Sequence, residues 1–530
     1  MKQTATQKKT MPSIAWSNEV FAGFSVFLLA LPLSLGIAKA SDFPAVTGLF
    51  TVLVSGLFVT WLMGAPLTIK GPAAGLIVIA AGSVQAFGGG SSGWQETLAV
   101  LFVAGIVQVL LGVLKLGRWI DFFPLSAVHG MLAAIGFIII TKQIPVLLDV
   151  NPILTQGLSP GQLIVSIPHF LTEYDPKSTL IGLVSLGILY VWPYVEHPVR
   201  KVPAPLVVLA FAIPAELMLN FQQTAPTYAL LQIGDVWGEL NWQISWAGWS
   251  RQPGTFIQYV ALFAIIGSVE SLLTVKAVSV ISRQKADTNR DLWATGLGNA
   301  LVACVGGLPM ISEVARSSAS WQAGGRSRWV NFFHGLFLLL FLIIAVRWME
   351  LIPNTALAAM LIIVGWKLAH PRQLWHTLEK GKEQLVIFLL TFLVTLSSDL
   401  LWGILAGVLA ELIWNAFRGP GQLKAMFFAP TEVSFNGEEY LIIIGEKAVF
   451  SNYLGILRKL EAIPQGFQVT IDLSMTNWVD HSVMQSLHQF AEWYGMSGGK
   501  IQIIGLDQHE AVANHHFSAR LKTDPDPLTR

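Results

Sequence analysis

Long apolar stretches separated by short polar ones fill the first 418 residues of this chain. About fourteen of them approach the ~20 residues that an α-helix needs to cross a bilayer. Their centres lie near residues 29, 54, 79, 107, 134, 185, 210, 265, 298, 316, 340, 361, 391 and 408. The third and tenth are too short or too broken to be full spans. Beyond residue 420 the pattern changes. "EYLIIIGE", "GFQVTIDLS" and "KIQIIGL" alternate as strands do, and "NYLGILRKLEAI" and "HSVMQSLHQFAEWYG" carry helical periodicity. Strands interleaved with helices predict a small α/β domain. The chain thus divides into an N-terminal segment (1–15), a membrane region (16–418), a linker (419–430) within and beyond "FRGPGQLKAM", and a C-terminal α/β domain (431–530).

Composition sharpens this reading. Charged residues make up 12% of 530, against roughly 25% in soluble chains, and 53% are hydrophobic. A net charge of +1 argues against a nucleic-acid partner. The one cysteine, Cys304, excludes an internal disulfide and a cysteine-based metal cluster. The apolar run from Val20 reads as a retained first span rather than a signal peptide. Basic residues gather after even-numbered segments: Lys115 and Arg118; Arg200 and Lys201; Arg283, Lys285 and Arg290; Arg326 and Arg328; Arg372, Lys380 and Lys382; Arg418 and Lys424. Odd-numbered connections hold scattered basics such as Lys39, Lys177 and Arg251 beside Asp149, Asp175, Asp235 and Asp399. The positive-inside rule then puts both termini in the cytoplasm, as in a multi-pass protein of a bacterial inner membrane. No catalytic constellation or metal-ligand spacing stands out, so no enzyme is expected.

Candidate chemistry sits where the pattern breaks. Segment 3 opens with "GAPLTIKGPAAGLIVIAAG" and segment 10 with "VGGLPMISEVARSS". They are the third segments of the first and second seven. Paired interrupted helices in matching places point to a transporter's binding site, because unwound backbone at membrane depth must line a cavity. Two half-helices that meet there turn their free N–H groups and positive dipole ends on one spot, which suits an anion. A helix starting near Pro309 would put Arg316 two turns in, roughly 10 Å along its axis. Glu313 and Arg316, at i and i+3, can form an internal salt bridge; alternatively Arg316, with Ser312 and nearby amides, supplies an anion site. Glu270, deep in segment 8, either pairs with Lys276 or another helix, or binds a coupling proton or sodium ion with help from Thr274 one turn on. Pro32 bends segment 1 and frees a carbonyl. His129 and His334 read as packing residues, and "RSR" at Arg326 as a cytoplasmic anchor.

"ALPLSLGIA", "GAPLTIKGPAAG", "GSVESLLT" and "GNALVACVGGLPMISEVARSS" together resemble the SulP family of inorganic anion transporters, the sulfate-permease group. "VTIDLSMTNWVDHSVMQSL" resembles a STAS domain, the fold of anti-sigma-factor antagonists. The resemblance implies a polytopic α-helical fold of the uracil-permease type. Two inverted repeats of seven segments would form it. Segments 1–4 and 8–11 would be a mobile core, and 5–7 and 12–14 a gate. It further implies elevator-type alternating access and a homodimer. Substrate would lie between half-helices 3 and 10, against Pro32, Ala73, Ala74, Gly75, Ser312, Val314, Ala315 and Arg316. Glu270 and Thr274 match the sodium-binding acid and threonine of the bicarbonate members. Ala73, Ala74, Val314 and Ala315 replace hydroxyl residues usual in the family, and Glu313 adds a negative charge. Glu313 is therefore read as the proton-coupled group, or as an offset to Arg316 that favours a monovalent anion. Ser482 occupies the phosphoserine position of the antagonists, where a plain helix N-cap is the other reading; His481 and Val483 replace the usual Ser and Gly.

The expected activity is secondary active transport of a small inorganic or carboxylate anion, bicarbonate or sulfate above all, coupled to sodium or protons. No cofactor is implied beyond a bound sodium ion. A nucleobase carrier of the same fold, and an anion channel or signalling module, are the alternatives.

Overall fold

Every one of the fourteen segment centres lies inside a helix. The helices are α1 (Trp16–Ala40), α2 (Thr47–Leu57), α3 (Ile77–Ala86), α4 (Gly90–Val113), α5 (Leu125–Leu147), α6 (Pro176–Val191) and α7 (Ala204–Leu219). The second set is α8 (Pro253–Ser282), α9 (Thr288–Cys304), α10 (Val314–Gln322), α11 (Trp329–Ile344), α12 (Asn354–Leu368), α13 (Lys382–Ser397) and α14 (Leu400–Phe417). Among the described residues, α1, α4, α5, α8 and α14 are long and apolar enough to cross a membrane by length and composition. The structure, a computed structural model, describes residues 15–117, 124–155, 158–196, 202–219, 230, 244–282, 284, 286–344, 346–398, 400–418, 423–496 and 498–523. Arg118, Arg200, Lys201, Arg283, Lys285, Asp235, Asp399, residues 1–14 and linker residues 419–422 lie outside them.

Helix starts follow local chemistry. Asp175 accepts from Ser178 N at 2.8 Å with Pro176 in the first turn of α6, and Asp287 accepts from Arg290 N at 3.0 Å to open α9. Pro32 lies inside a helix that runs from Trp16 to Ala40, so α1 accommodates the proline without ending. The helices pack as two groups. α4 lies along α9, and α11 along α1 and α2; α5 packs on α12 and α13, α14 on α13, and α6 on α7 and α12. An apolar seam joins the groups, with Val128, Met131 and Ile135 of α5 in one cluster with Ile77 and Ala80 of α3 and Phe263 and Ile266 of α8.

Residues 423–523 form an α/β unit. One sheet has the order β3 (Thr431–Phe435), β4 (Glu439–Ile444), β6 (Gln468–Asp472), β8 (Lys500–Ile504); β3 runs antiparallel to β4 and the rest are parallel. The second sheet has the order β5 (Glu446–Ala448), β7 (Thr476–Val479), β10 (Arg520–Lys522), β9 (His509–Ala511). Ile442, Ile444, Val469 and Ile471 alternate into the core. Tyr453, Ile456 and Leu460 of α15 (Phe450–Glu461) and Val483, Leu487, Phe490 and Tyr494 of α16 (His481–Met496) cover them at helical spacing. The sequence pattern had pointed to three strands; the short ones, of three to five residues, carry too little alternation to stand out. Part of the expected linker belongs to this unit. Ser451 Oγ donates to Met426 O at 2.6 Å and Asn452 Nδ2 to Ala425 O at 2.7 Å.

Candidate functional site

Prolines 66, 72 and 309 remove helical N–H groups from two neighbouring stretches, and the chain pairs the two breaks with each other. β1 (Ile69–Pro72) runs antiparallel to β2 (Met310–Glu313), with Ile69 opposite Glu313 and Pro72 opposite Met310. At ~3.4 Å per residue the ladder is about 10 Å long. Side chains take its outer polar groups. Asn299 of α9 accepts from Met310 N at 2.6 Å and donates to Met310 O at 3.1 Å. Asn331 of α11 accepts from Lys70 N at 3.2 Å, Ser55 Oγ donates to Lys70 O at 2.7 Å, and Ser317 Oγ accepts from Ile69 N at 2.9 Å. Irregular backbone survives among apolar helices only when its groups are satisfied in this way.

Both short helices leave this ladder amino end first. A 3₁₀ turn, Ala74–Leu76, leads into α3, while α10 begins directly at Val314. Neither helix start is capped by the side chain of its own N-cap residue. Their free N–H groups and positive dipole ends therefore converge on one region. Val314 is 46% exposed and Ala315 is also exposed, so the first amides of α10 border open space. Arg316 is the third residue of α10, in its first turn. The expected start near Pro309 is corrected, because residues 310–313 are extended and bonded to β1 instead of coiled.

Charge concentrates here. Arg316 is fully buried; its Nε lies 2.9 Å from Glu313 Oε2 and its Nη2 donates to Ser34 Oγ at 3.2 Å. Nη1 has no hydrogen-bond partner and fills the place where a Cβ on Gly71 would sit. The Ala74 amide donates to Glu313, and the Gly75 amide to Glu270 of α8. A Cβ on Gly75 would collide with the Glu270 carboxylate. Thr274 is buried one turn along α8, Pro32 is buried two residues before Ser34, and Ala73 is buried at the turn into α3. The structure thus gathers Ala73, Ala74, Gly75, Glu270, Glu313, Val314, Ala315 and Arg316 around one point, with two carboxylates to one guanidinium, whereas α1 contributes Ser34 there and Pro32, two residues earlier, lies on another side of that helix.

Two further candidates fall elsewhere. Ser312 is fully buried and consumed internally: its hydroxyl lies 2.8 Å from Lys70 Nζ and 3.4 Å from Asp291 Oδ2, and its amide donates to Ser271 Oγ at 3.1 Å. It ties β2 in place and has no donor left to offer. Ser482 is 6% exposed and is the second residue of α16, so it is neither an accessible acceptor of phosphate nor the cap. Asp480 is the cap, accepting from Val483 N at 2.7 Å. Arg326, read as an anchor, folds back 3.7 Å above the Trp321 ring, and His334 is fully buried in α11, as a packing residue is.

A model of the sulfate permease family matches residues 17–391. The chain belongs to that family. It is a family of membrane transporters and not of enzymes. The bicarbonate transporter BicA of Picosynechococcus is 25% identical over 400 residues, which are 74% of this chain and 68% of that protein. Among solved structures, the transmembrane domain of a cyanobacterial BicA superposes with a TM-score of 0.64 at 21% identity, covering 74% of this chain and 97% of that one. SLC26A9 superposes with a TM-score of 0.64 at 16% identity, covering 92% and 84%. At these identities the two structures establish the fold.

The sequence pattern did not reveal the ion pair that braces the site. Lys70 and Asp291 are both fully buried, with Nζ 2.7 Å from Oδ2, and Lys70 also donates to Thr295 Oγ1 at 2.9 Å. A charge inside "LTIKGP" was the available signal. Asp291 was hidden because its first turn of α9 reads as part of a polar connection.

Proposed function

We propose that the protein is a secondary carrier of a small inorganic anion, of the bicarbonate or sulfate class, held at the amino ends of α3 and α10. The observation that carries this reading is the β1–β2 ladder, which turns two helix starts toward each other beside a buried arginine. Free amides and Arg316 supply donors to any small oxyanion, and the hydrophobic surroundings strengthen each of those bonds.

The two carboxylates explain coupling. Glu313 and Glu270 already hold the Ala74 and Gly75 amides, so they stand where an anionic substrate needs to be. With both ionised, the cluster of two carboxylates and Arg316 carries net −1. A proton or sodium ion taken up by Glu270 or Glu313 removes the repulsion and frees an amide, so cation and anion bind together. Thr274 sits one turn from Glu270 on α8, within reach of the same cation.

The wider architecture follows the same reading. The group of α1–α4 and α8–α11, carrying the site, moves as a core against the α5–α7 and α12–α14 group along the apolar seam. Both termini are cytoplasmic, the α/β unit is a STAS domain, two copies associate, and a bacterial inner membrane is the location. Counterflow in proteoliposomes tests the function: labelled bicarbonate, sulfate, chloride and dicarboxylates, each with and without a sodium or pH gradient. Exchange of an oxyanion that a cation gradient drives uphill supports it. Uptake of uracil in preference to every anion removes it.

A further inference from the structure

A buried polar chain that the transport reading does not use joins the last membrane helix to the α/β unit. Asn415, fully buried near the end of α14, is its hub. Its Oδ1 accepts from Trp478 Nε1 at 2.8 Å, its carbonyl from Lys447 Nζ at 3.2 Å, and its Nδ2 donates to Asp480 Oδ2 at 3.4 Å. One turn earlier Glu411, also fully buried, accepts from the Asn415 side chain and from Gln384 Nε2 of α13, 3.4 Å from both oxygens. Gln384 Oε1 in turn accepts from Ser126 of α5 at 2.6 Å. Asp480 accepts from Phe450 N at 2.5 Å and Val483 N at 2.7 Å, so it caps both helices of the α/β unit. One chain of hydrogen bonds runs from α5 through α13 and α14 into α15 and α16.

Its charge is unbalanced. Glu411 and Asp480 share the amide of Asn415, and neither forms an ion pair among the described residues. Every neighbouring charge is otherwise directed. Glu383 of α13 interacts with Arg418, and Lys447 of β5 is turned to the Asn415 carbonyl. His481 feels Lys380, His129 of α5 and His515. Two buried carboxylates that share one amide, with no cationic group bonded to either, are most stable together when they hold a proton. Burial pushes the Asp480 carboxyl above its ordinary range, against the helix amides that pull it down.

We propose that Glu411, Asn415 and Asp480 form a proton-held latch that docks the α/β unit on α13 and α14 and loosens as the pH on that side rises. Docked, the pair retains a proton; undocked, both groups meet water and release it. Docking therefore weakens with rising pH, by at most about tenfold per unit for one proton. Trp478, packed with Leu412, Trp414 and Ala416, supplies the part of docking that pH leaves alone.

Hydrogen exchange on the full-length protein in nanodiscs tests the latch. Protection of peptides spanning 411–417 and 476–486, corrected for intrinsic exchange, is followed between about pH 5 and pH 8. Wild type is expected to lose protection there as pH rises, measured relative to β4 and β6. Glu411→Gln touches no backbone amide of the α/β unit and removes one of the two charges, so it is expected to flatten the profile. A wild-type profile without slope, or a Glu411→Gln profile that keeps the full slope, overturns the proposal.

Discussion

Arg316 Nε and Glu313 Oε2 stand 2.9 Å apart at the start of α10, and the same Glu313 carboxylate takes the Ala74 amide at the start of α3. One side chain thereby touches both half-helices and the guanidinium that an anion would use. The internal salt bridge that the i, i+3 spacing allows is formed, and the proposed anion site would use the same group of atoms.

Removing the Glu313 charge should therefore strengthen anion binding. Glu313→Gln keeps the shape and deletes a like charge a few ångströms from the substrate, which at an effective dielectric near 20 amounts to a tenfold gain or more in affinity, about 1.4 kcal/mol or above. Equilibrium binding of labelled substrate measures it. Unchanged or weaker binding would mean that Glu313 does not compete with the anion.

Gly71 and Gly75 separate the two partners of transport. A methyl at Gly71 displaces the Arg316 guanidinium, whereas one at Gly75 displaces the Glu270 carboxylate, and both obstacles are the ends of flexible side chains. Gly71→Ala should raise the KM for the anion. Gly75→Ala should raise the concentration of coupling cation needed for half-maximal uptake. Equal effects of both variants on both parameters would contradict the assignment.

Lys70 and Asp291 brace the ladder from behind. Lys70→Ala leaves a buried carboxylate unpaired and should cost about 3–5 kcal/mol, whereas Lys70→Met combined with Asp291→Asn should cost less than either change alone. Thermal melting of the purified protein reads both. Additive losses would show that the pair is not coupled.

The architecture was legible where the pattern is local. Fourteen centres came from apolar runs, and the two breaks from Pro66, Pro72 and Pro309. What those breaks do to each other was not legible, because Ile69 meets Glu313 across more than 240 residues and no periodicity encodes that register. The same distance hid the Lys70–Asp291 pair. The start of α10 was misplaced by five residues for a related reason: Pro309 is a good first helical residue, but tertiary pairing keeps the next four extended. Ser482 failed locally, since Asp480 two residues earlier is the better cap and the helix begins one residue before the serine.

His481 gives the α/β unit an acid limit. Burial, then Lys380, pushes its pKa down to about 3, from an ordinary value of 6.5. Above 6.5 folded and unfolded forms are both neutral there. As pH falls from 6.5 toward 3 only the unfolded form takes up the proton, and stability drops by about 1.4 kcal/mol per unit. The raised Asp480 contributes the opposite slope in acid, so His481→Gln should make the unit more stable at pH 5 relative to pH 7 than wild type is. Exchange protection of β4 and β6 checks this, and an unaltered pH profile in the variant would refute it.

Binding of labelled oxyanion to purified Arg316→Ala, beside its melting temperature and its counterflow in proteoliposomes, tests the central claim most directly. The account predicts a folded protein that no longer binds or exchanges the anion. A variant that keeps wild-type affinity and counterflow would contradict it.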